Sequence, residues 1–260
     1  MMAQRLTQGL TVAVVWITAT LFALPVLADS KSLTVGTNRK MDATLISPDG
    51  PGPYPGVLVL HTSGGLQQAD LDFARKLADQ GYVCLVPAFM DAYGIRASTR
   101  QQTFTSSARD IYNDFLNAID VLRNSDKVSG GKVAAIGFSN GGYFAMWLAA
   151  TGKVDAGVSY YGAVTGAGTD KELTRFSSTF TSTSAPVLIL HGMSDATVPV
   201  AAAQHLEQIV KRAGSPYEIQ FYPGVDHVFE RSARNDATTA AAADAWERTL
   251  KFLGERLSRP

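Results

Sequence analysis

Ser139 stands at the apex of Gly137-Phe138-Ser139-Asn140-Gly141-Gly142, directly after an apolar run at 133–136 and directly before a helix-forming stretch at 143–150. A strand, a sharp turn and a helix with serine at the apex is a way of presenting a nucleophile. The turn exposes the hydroxyl at the carboxyl end of a sheet and aims the first N–H groups of the helix at whatever reacts there. The flanking glycines fit such a turn, because residues two before and two after the serine approach too closely for a Cβ.

A serine hydroxyl stays protonated at neutral pH, so it needs a base, and the base needs a partner to orient it. Both follow Ser139 in the chain. Asp195 comes just after the buried-strand pattern at 187–191, and His227 comes after a second strand pattern at 218–222. Three polar residues past three strand ends converge on one edge of a parallel sheet, where ligands bind in open α/β folds. The expected roles are nucleophile for Ser139, general base for His227 and orienting carboxylate for Asp195. Asp226 competes with Asp195, but as the neighbour of His227 it is expected to be solvated or to bond local backbone instead. An imidazole base must be neutral to act, so turnover is expected to rise with pH through the ordinary range, roughly 6 to 7.

The developing oxyanion requires two backbone donors. One is expected from Asn140 at the helix start. The other is assigned to Ser63, with Thr62 as the alternative, in the loop His61-Thr62-Ser63-Gly64-Gly65-Leu66 that follows the apolar run 57–60.

These positions call for alternating strands and helices. Strands are predicted at 33–36, 43–46, 57–61, 82–86, 133–137, 156–161, 187–191 and 218–222, and helices at 69–80, 105–123, 141–150, 200–213 and 237–256. Strands joined by long amphipathic segments give a mostly parallel central sheet with helices on both faces. Two connections, 88–100 with Tyr93, Arg96 and Arg100, and the Gly/Thr/Ser-rich 163–184, are expected to shape a substrate pocket.

Residues 1–28 read as an export signal: Arg5 at the start, a mostly apolar 10–24, the break at Pro25, and Val26-Leu27-Ala28 before the cleavage point. The apolar core is short for a membrane span and holds three threonines, so no stable anchor is expected after cleavage. The protein is predicted to be periplasmic or secreted, with residues 29–260 as a single domain. Zero formal net charge gives no track for nucleic acid. The lone cysteine, Cys84, lies inside a predicted strand, which makes it a core thiol. The four histidines lack ligand spacing, and there is neither a phosphate loop nor a dinucleotide fingerprint, so no metal and no cofactor is expected.

Taken together, the segments 61–66, 137–142 and 191–195 and the run His227-Val228-Phe229-Glu230-Arg231 resemble the dienelactone hydrolases of the α/β-hydrolase fold. The resemblance implies that fold and the hydrolysis of a small ester or lactone through an acyl-serine intermediate. It departs at two places: Ser139 stands where the best-known members carry cysteine, and Thr62 where they carry glutamate. Serine implies a broader esterase-like chemistry. Members acting on dienelactone bind its carboxylate with two arginines, and the resemblance assigns Arg231 to one position and Arg96 to the other, with Tyr93 nearby. If both arginines point inward, an anionic substrate follows. Two alternatives stay open: a serine peptidase or acyl-peptide hydrolase of the same fold, and a non-catalytic binding protein built on it.

Overall fold

The computed structural model describes residues 29–128, 131–164, 171–232 and 234–258, so the predicted signal segment lies outside the described residues. Eight strands form one sheet: β1 (Asp29–Val35), β2 (Met41–Ser47), β3 (Gly56–Leu60), β4 (Val83–Pro87), β5 (Val133–Phe138), β6 (Ala156–Tyr160), β7 (Val187–Gly192) and β8 (Tyr217–Tyr222). Their order is β1-β2-β4-β3-β5-β6-β7-β8. Only the β1–β2 and β2–β4 pairs are antiparallel; β4, β3, β5, β6, β7 and β8 run parallel to one another.

Residues of β3 alternate between two cores, as a period of two requires. Leu58 and Leu60 pack on one face with Ile111, Phe115 and Ile119 of α3 (Ala108–Arg123), and Val57 and Val59 pack on the other with Leu77 of α1 (Gln68–Ala78) and Phe252 of α7 (Asp236–Leu257). Each such side chain, fully removed from water, contributes about 1.5 to 3 kcal/mol. α4 (Asn140–Ala150) is buried along its whole length, which its all-round apolar sequence permits. α6 (Val200–Ala213) starts after Pro199 and stops at Gly214, whose φ of 66° forms a left-handed cap. Those bounds match the predicted 200–213. Among the described residues no helix is long and apolar enough to cross a membrane.

The chain departs from expectation at several ends and in two connections. β1 begins four residues before the predicted start and ends before Gly36, whose φ of 96° opens the turn into β2. The strands predicted to reach 61 and 161 stop one residue earlier, at Leu60 and Tyr160. The connection 88–100 contains the short α2 (Phe89–Ala92) and leads into a 3₁₀ helix, Ala97–Thr103. The Gly/Thr/Ser-rich connection contains α5 (Lys171–Thr179).

Because β3 sits between β4 and β5, the connections leaving β3 and β5 run to opposite sides of the sheet. Their carboxyl ends lie side by side at this reversal, and it is there that the loop 61–66 and the Ser139 turn meet.

Candidate active site

The backbone of Ser139 has φ 51° and ψ −111°, outside the regions a residue with a side chain ordinarily takes. It is held there by its N–H donating to the Tyr160 carbonyl at 3.1 Å and its carbonyl accepting from Ala163 N–H at 2.9 Å. The two glycines of the turn are a matter of space. A Cβ on Gly137 would sit 2.1 Å from the Gly141 carbonyl oxygen, and one on Gly141 would sit 2.1 Å from the Leu60 carbonyl oxygen. Among the described residues the non-glycine residues with positive φ are Ser139, Tyr161 and Val228. Tyr161 packs its ring edge-on against His227 at 4.5 Å, and Val228 follows His227, so all three strained positions surround one point.

The structure brings Ser139, His227 and Asp195 into one chain of hydrogen bonds. His227 Nε2 lies 3.1 Å from Ser139 Oγ, and His227 Nδ1 lies 2.6 Å from Asp195 Oδ2. An ionised carboxylate only accepts, so Nδ1 carries the proton and Nε2 is left as acceptor for the serine hydroxyl. Asp195 is fixed through its other oxygen, which accepts the N–H groups of Thr197 at 2.9 Å and Val198 at 2.7 Å. Its carboxylate is fully buried, whereas the His227 side chain keeps 11 % of its surface. Asp226 accepts the N–H groups of Ala196 and its own neighbour His227, and these bonds hold its carboxyl below the usual range. It braces two loops and takes no place in the chain from serine to acid.

Asn140 N–H is the first of α4 and so one of the donors a helix leaves unpaired. Opposite it, Gly64 N–H donates to Thr62 Oγ1 at 3.1 Å and Gly65 N–H to the Thr62 carbonyl at 3.3 Å. The Ser63 N–H makes no hydrogen bond among the described residues, as an oxyanion donor requires. The close approach of Gly141 to Leu60 and His61 holds the two segments together.

The three residues assigned to substrate binding are placed otherwise. Tyr93 donates its hydroxyl to Asp114 Oδ2 at 2.6 Å, and Asp114 gathers the N–H groups of Thr37, Asn38 and Arg39 in the β1–β2 turn. Tyr93 therefore closes the hairpin against α3, with its hydroxyl committed to Asp114. Arg231 donates Nε to Glu230 Oε1 and Nη2 to Asp70 Oδ1, each at 2.5 Å, so its inward face is already occupied by carboxylates. Arg96 is exposed at the start of the 3₁₀ helix, and no described contact joins it to Arg231.

Four residues outside the predicted site support it. Asn140 Nδ2 donates to Thr103 Oγ1 at 2.9 Å, which ties the 3₁₀ helix to the nucleophile turn. His191 Nε2 lies 2.9 Å from the Val198 carbonyl and 3.5 Å from Asp195 Oδ2, steadying the acid's loop. Tyr161 backs His227, and Asp70 receives Arg231. Two of these left a trace in the sequence: His191 closes the strand pattern at 187–191, where a hydrogen-bonded structural role is the simplest one, and Asp70 comes three residues after Gln67 at the start of a helix, where its Oδ2 accepts the Gln67 N–H.

His61, stacked on Phe89 at 4.1 Å, and His191 are both fully buried, and burial pushes each below its ordinary 6.5. The unfolded chain binds protons at 6.5 that the folded one refuses, so their contribution is complete above that pH and is lost as pH falls below it. We expect the melting temperature to decline between pH 6.5 and 5, with a slope of at most about 1.4 kcal/mol per pH unit for each histidine. Circular dichroism melts of the wild type and of a His61→Gln, His191→Gln variant check this; the variant's profile should be flatter over that interval.

The sequence model of the dienelactone hydrolase family matches residues 41–257. A relative from Synechocystis sp. carrying the name "Putative carboxymethylenebutenolidase" is 29% identical, over 85% of this chain and 94% of its own. A solved dienelactone hydrolase-like promiscuous phosphotriesterase from metagenomic libraries superposes with a TM-score of 0.76 at 22% identity, covering 89% of this chain and 100% of that one. Thermogutta terrifontis esterase 2, solved as phosphorylated by paraoxon, superposes with a TM-score of 0.69 at 20% identity, covering 90% and 96%.

Proposed function

The chain belongs to the dienelactone hydrolase family, and from that premise we propose that it is a serine hydrolase that cleaves carboxylic esters or lactones through an acyl-serine intermediate. The observation that carries the reading is the unbroken hydrogen-bond chain from Ser139 through His227 to Asp195. Ser139 Oγ attacks the substrate carbonyl carbon while its proton passes to His227 Nε2. The tetrahedral oxyanion takes hydrogen bonds from Asn140 N–H and Ser63 N–H, each worth roughly 3 to 4 kcal/mol in the transition state. On collapse, the C–O bond to the alcohol breaks and His227 returns the proton to the leaving oxygen; with a lactone the same step opens the ring. Water then attacks the acyl-serine, gives its proton to His227, and releases the acid and a restored Ser139.

A fluorophosphonate probe, followed by mass spectrometry of the adduct, tests the assignment together with turnover of a short-chain p-nitrophenyl ester. An adduct on Ser139 with turnover is the expected result; no adduct and no turnover would leave a non-catalytic scaffold.

Export belongs to the same proposal. It rests on the charged start, short apolar core and small-residue cleavage pattern of residues 1–28. Expression of the full chain followed by N-terminal sequencing should give a mature protein beginning near Asp29 in the exported fraction.

A further inference from the structure

Arg231 is the cation nearest in sequence to the base, four residues after His227, yet it is not free to hold a substrate. Its Nε meets Glu230 Oε1 and its Nη2 meets Asp70 Oδ1, both at 2.5 Å, and its guanidinium lies over the Phe138 ring at 5.2 Å. Only 15 % of the side chain is exposed; Asp70 is fully buried and Glu230 keeps 6 %. One cation thus faces two buried carboxylates. The hydroxyl of Tyr161 is neutral and adds no charge of either sign, because burial and the adjacent Glu230 carboxylate keep it protonated well above its ordinary range. A substrate carboxylate drawn to Arg231 would either join two existing ones or strip a buried acid of its partner, and both are costly.

Two charged or titratable groups at the oxyanion loop point the same way, as does Arg175 on the far side of α4's Tyr143. His61 is buried and held neutral. Asp91 is exposed beside the loop, its Oδ1 3.9 Å from where a Gly65 Cβ would sit. Arg175 is spent on the Tyr143 hydroxyl and the Trp147 ring.

We propose that the enzyme selects esters whose acyl group is uncharged, with Arg231 serving as an internal brace and not as a carboxylate receptor. The inference rests on the ester-hydrolase reading above. The brace has a definite route. Asp70 takes Arg231 on one carboxylate oxygen and the Gln67 N–H on the other, at 2.9 Å, so it pins the start of α1 just after the loop that carries Ser63. Arg231 stands on the loop that carries His227. The pair therefore joins the base to an oxyanion donor across 161 residues of sequence, and Arg231 acts as a positioning residue on both.

The test compares p-nitrophenyl pentanoate with mono-p-nitrophenyl succinate, acyl chains of similar length that differ by one negative charge. Wild type should favour the pentanoate by at least tenfold in kcat/KM. Arg231→Gln should lower kcat on both esters by about 10- to 100-fold with KM nearly unchanged, and should not weaken the preference. Asp70→Asn should give a similar loss, the two changes together should cost little more than one, and Arg231→Lys should recover part of it. Should Arg231→Gln fail to fold, the wild-type preference and the Arg231→Lys and Asp70→Asn variants still decide. Equal or better use of the succinate by wild type, or a rise in KM confined to the succinate in an Arg231 variant, would overturn the proposal. Absence of turnover on both esters, with no adduct on Ser139, would instead remove the ester-hydrolase reading and the selectivity with it.

Discussion

Replacing Ser139 by alanine is expected to reduce kcat by about 10⁴- to 10⁶-fold while leaving the fold in place. The loss is large because Oγ is the atom that forms the covalent bond, and no described neighbour can replace it: Ser194 lies in a loop with no helix start behind it, and Cys84 is fully buried in β4 with burial raising its thiol well above the usual range. The fold survives because the strained turn is maintained by backbone contacts. Ser139 N–H still reaches Tyr160, its carbonyl still reaches Ala163, and the two glycines still close on their neighbours. Kinetics on a p-nitrophenyl ester and a melting curve together check this; a melting temperature within about 2 °C of wild type with turnover gone is the predicted pair. Retained turnover in the pure variant would end the nucleophile assignment.

Asp195→Asn should cost roughly 10⁴-fold in kcat with KM little changed. Its Oδ1 accepts two backbone N–H groups and its Oδ2 accepts His227 Nδ1–H. An asparagine oxygen can keep the backbone pair, but the amide then presents donors to His227. The imidazole responds by placing its proton on Nε2, the face that should be accepting from Ser139. The negative charge that offsets the imidazolium during attack is lost as well. An Asp226→Asn variant provides the control: that carboxylate bridges backbone on the exposed side, so its loss should leave kcat within a few fold. A larger loss for Asp226→Asn than for Asp195→Asn would reverse the assignment of the acid.

The triad was legible in the sequence because each member follows a buried strand, and the position of a strand end is encoded locally by an apolar run meeting a polar or glycine-rich stop. α6 was legible to the residue for a similar reason, with Pro199 before it and a left-handed Gly214 after it. The connection after β4 was not. α2 and the 3₁₀ helix at Ala97–Thr103 are too short to show a period, and the 3₁₀ helix is fixed by tertiary contacts at its end: Thr103 on Asn140, and the Phe104 ring edge-on against Tyr143. The reading of Arg231 as a carboxylate receptor had the same weakness. Sequence places it four residues after the base, but its partner Asp70 is 161 residues away, and no local pattern announces that pairing.

The contact of Gly141 with the Leu60 carbonyl bears on how this enzyme can be altered. It fuses the turn that carries the nucleophile and the loop that carries the second oxyanion donor into one backbone unit with no room for a methyl group. Random changes at 60–65 or 137–142 would disturb both donors at once, so most members of such a library should be inactive whatever acyl group is sought. The contacts that α4 makes with the segments 103–104 and 175–176 run instead through side chains, with Thr103 and Phe104 meeting Asn140 and Tyr143, and Arg175 and Phe176 meeting Tyr143. Changes at Phe104 and Phe176, both buried against Tyr143, would alter the packing around α4 through side chains and leave the fused backbone unit as it is, so variants at those two positions should keep turnover more often than variants at 60–65 or 137–142.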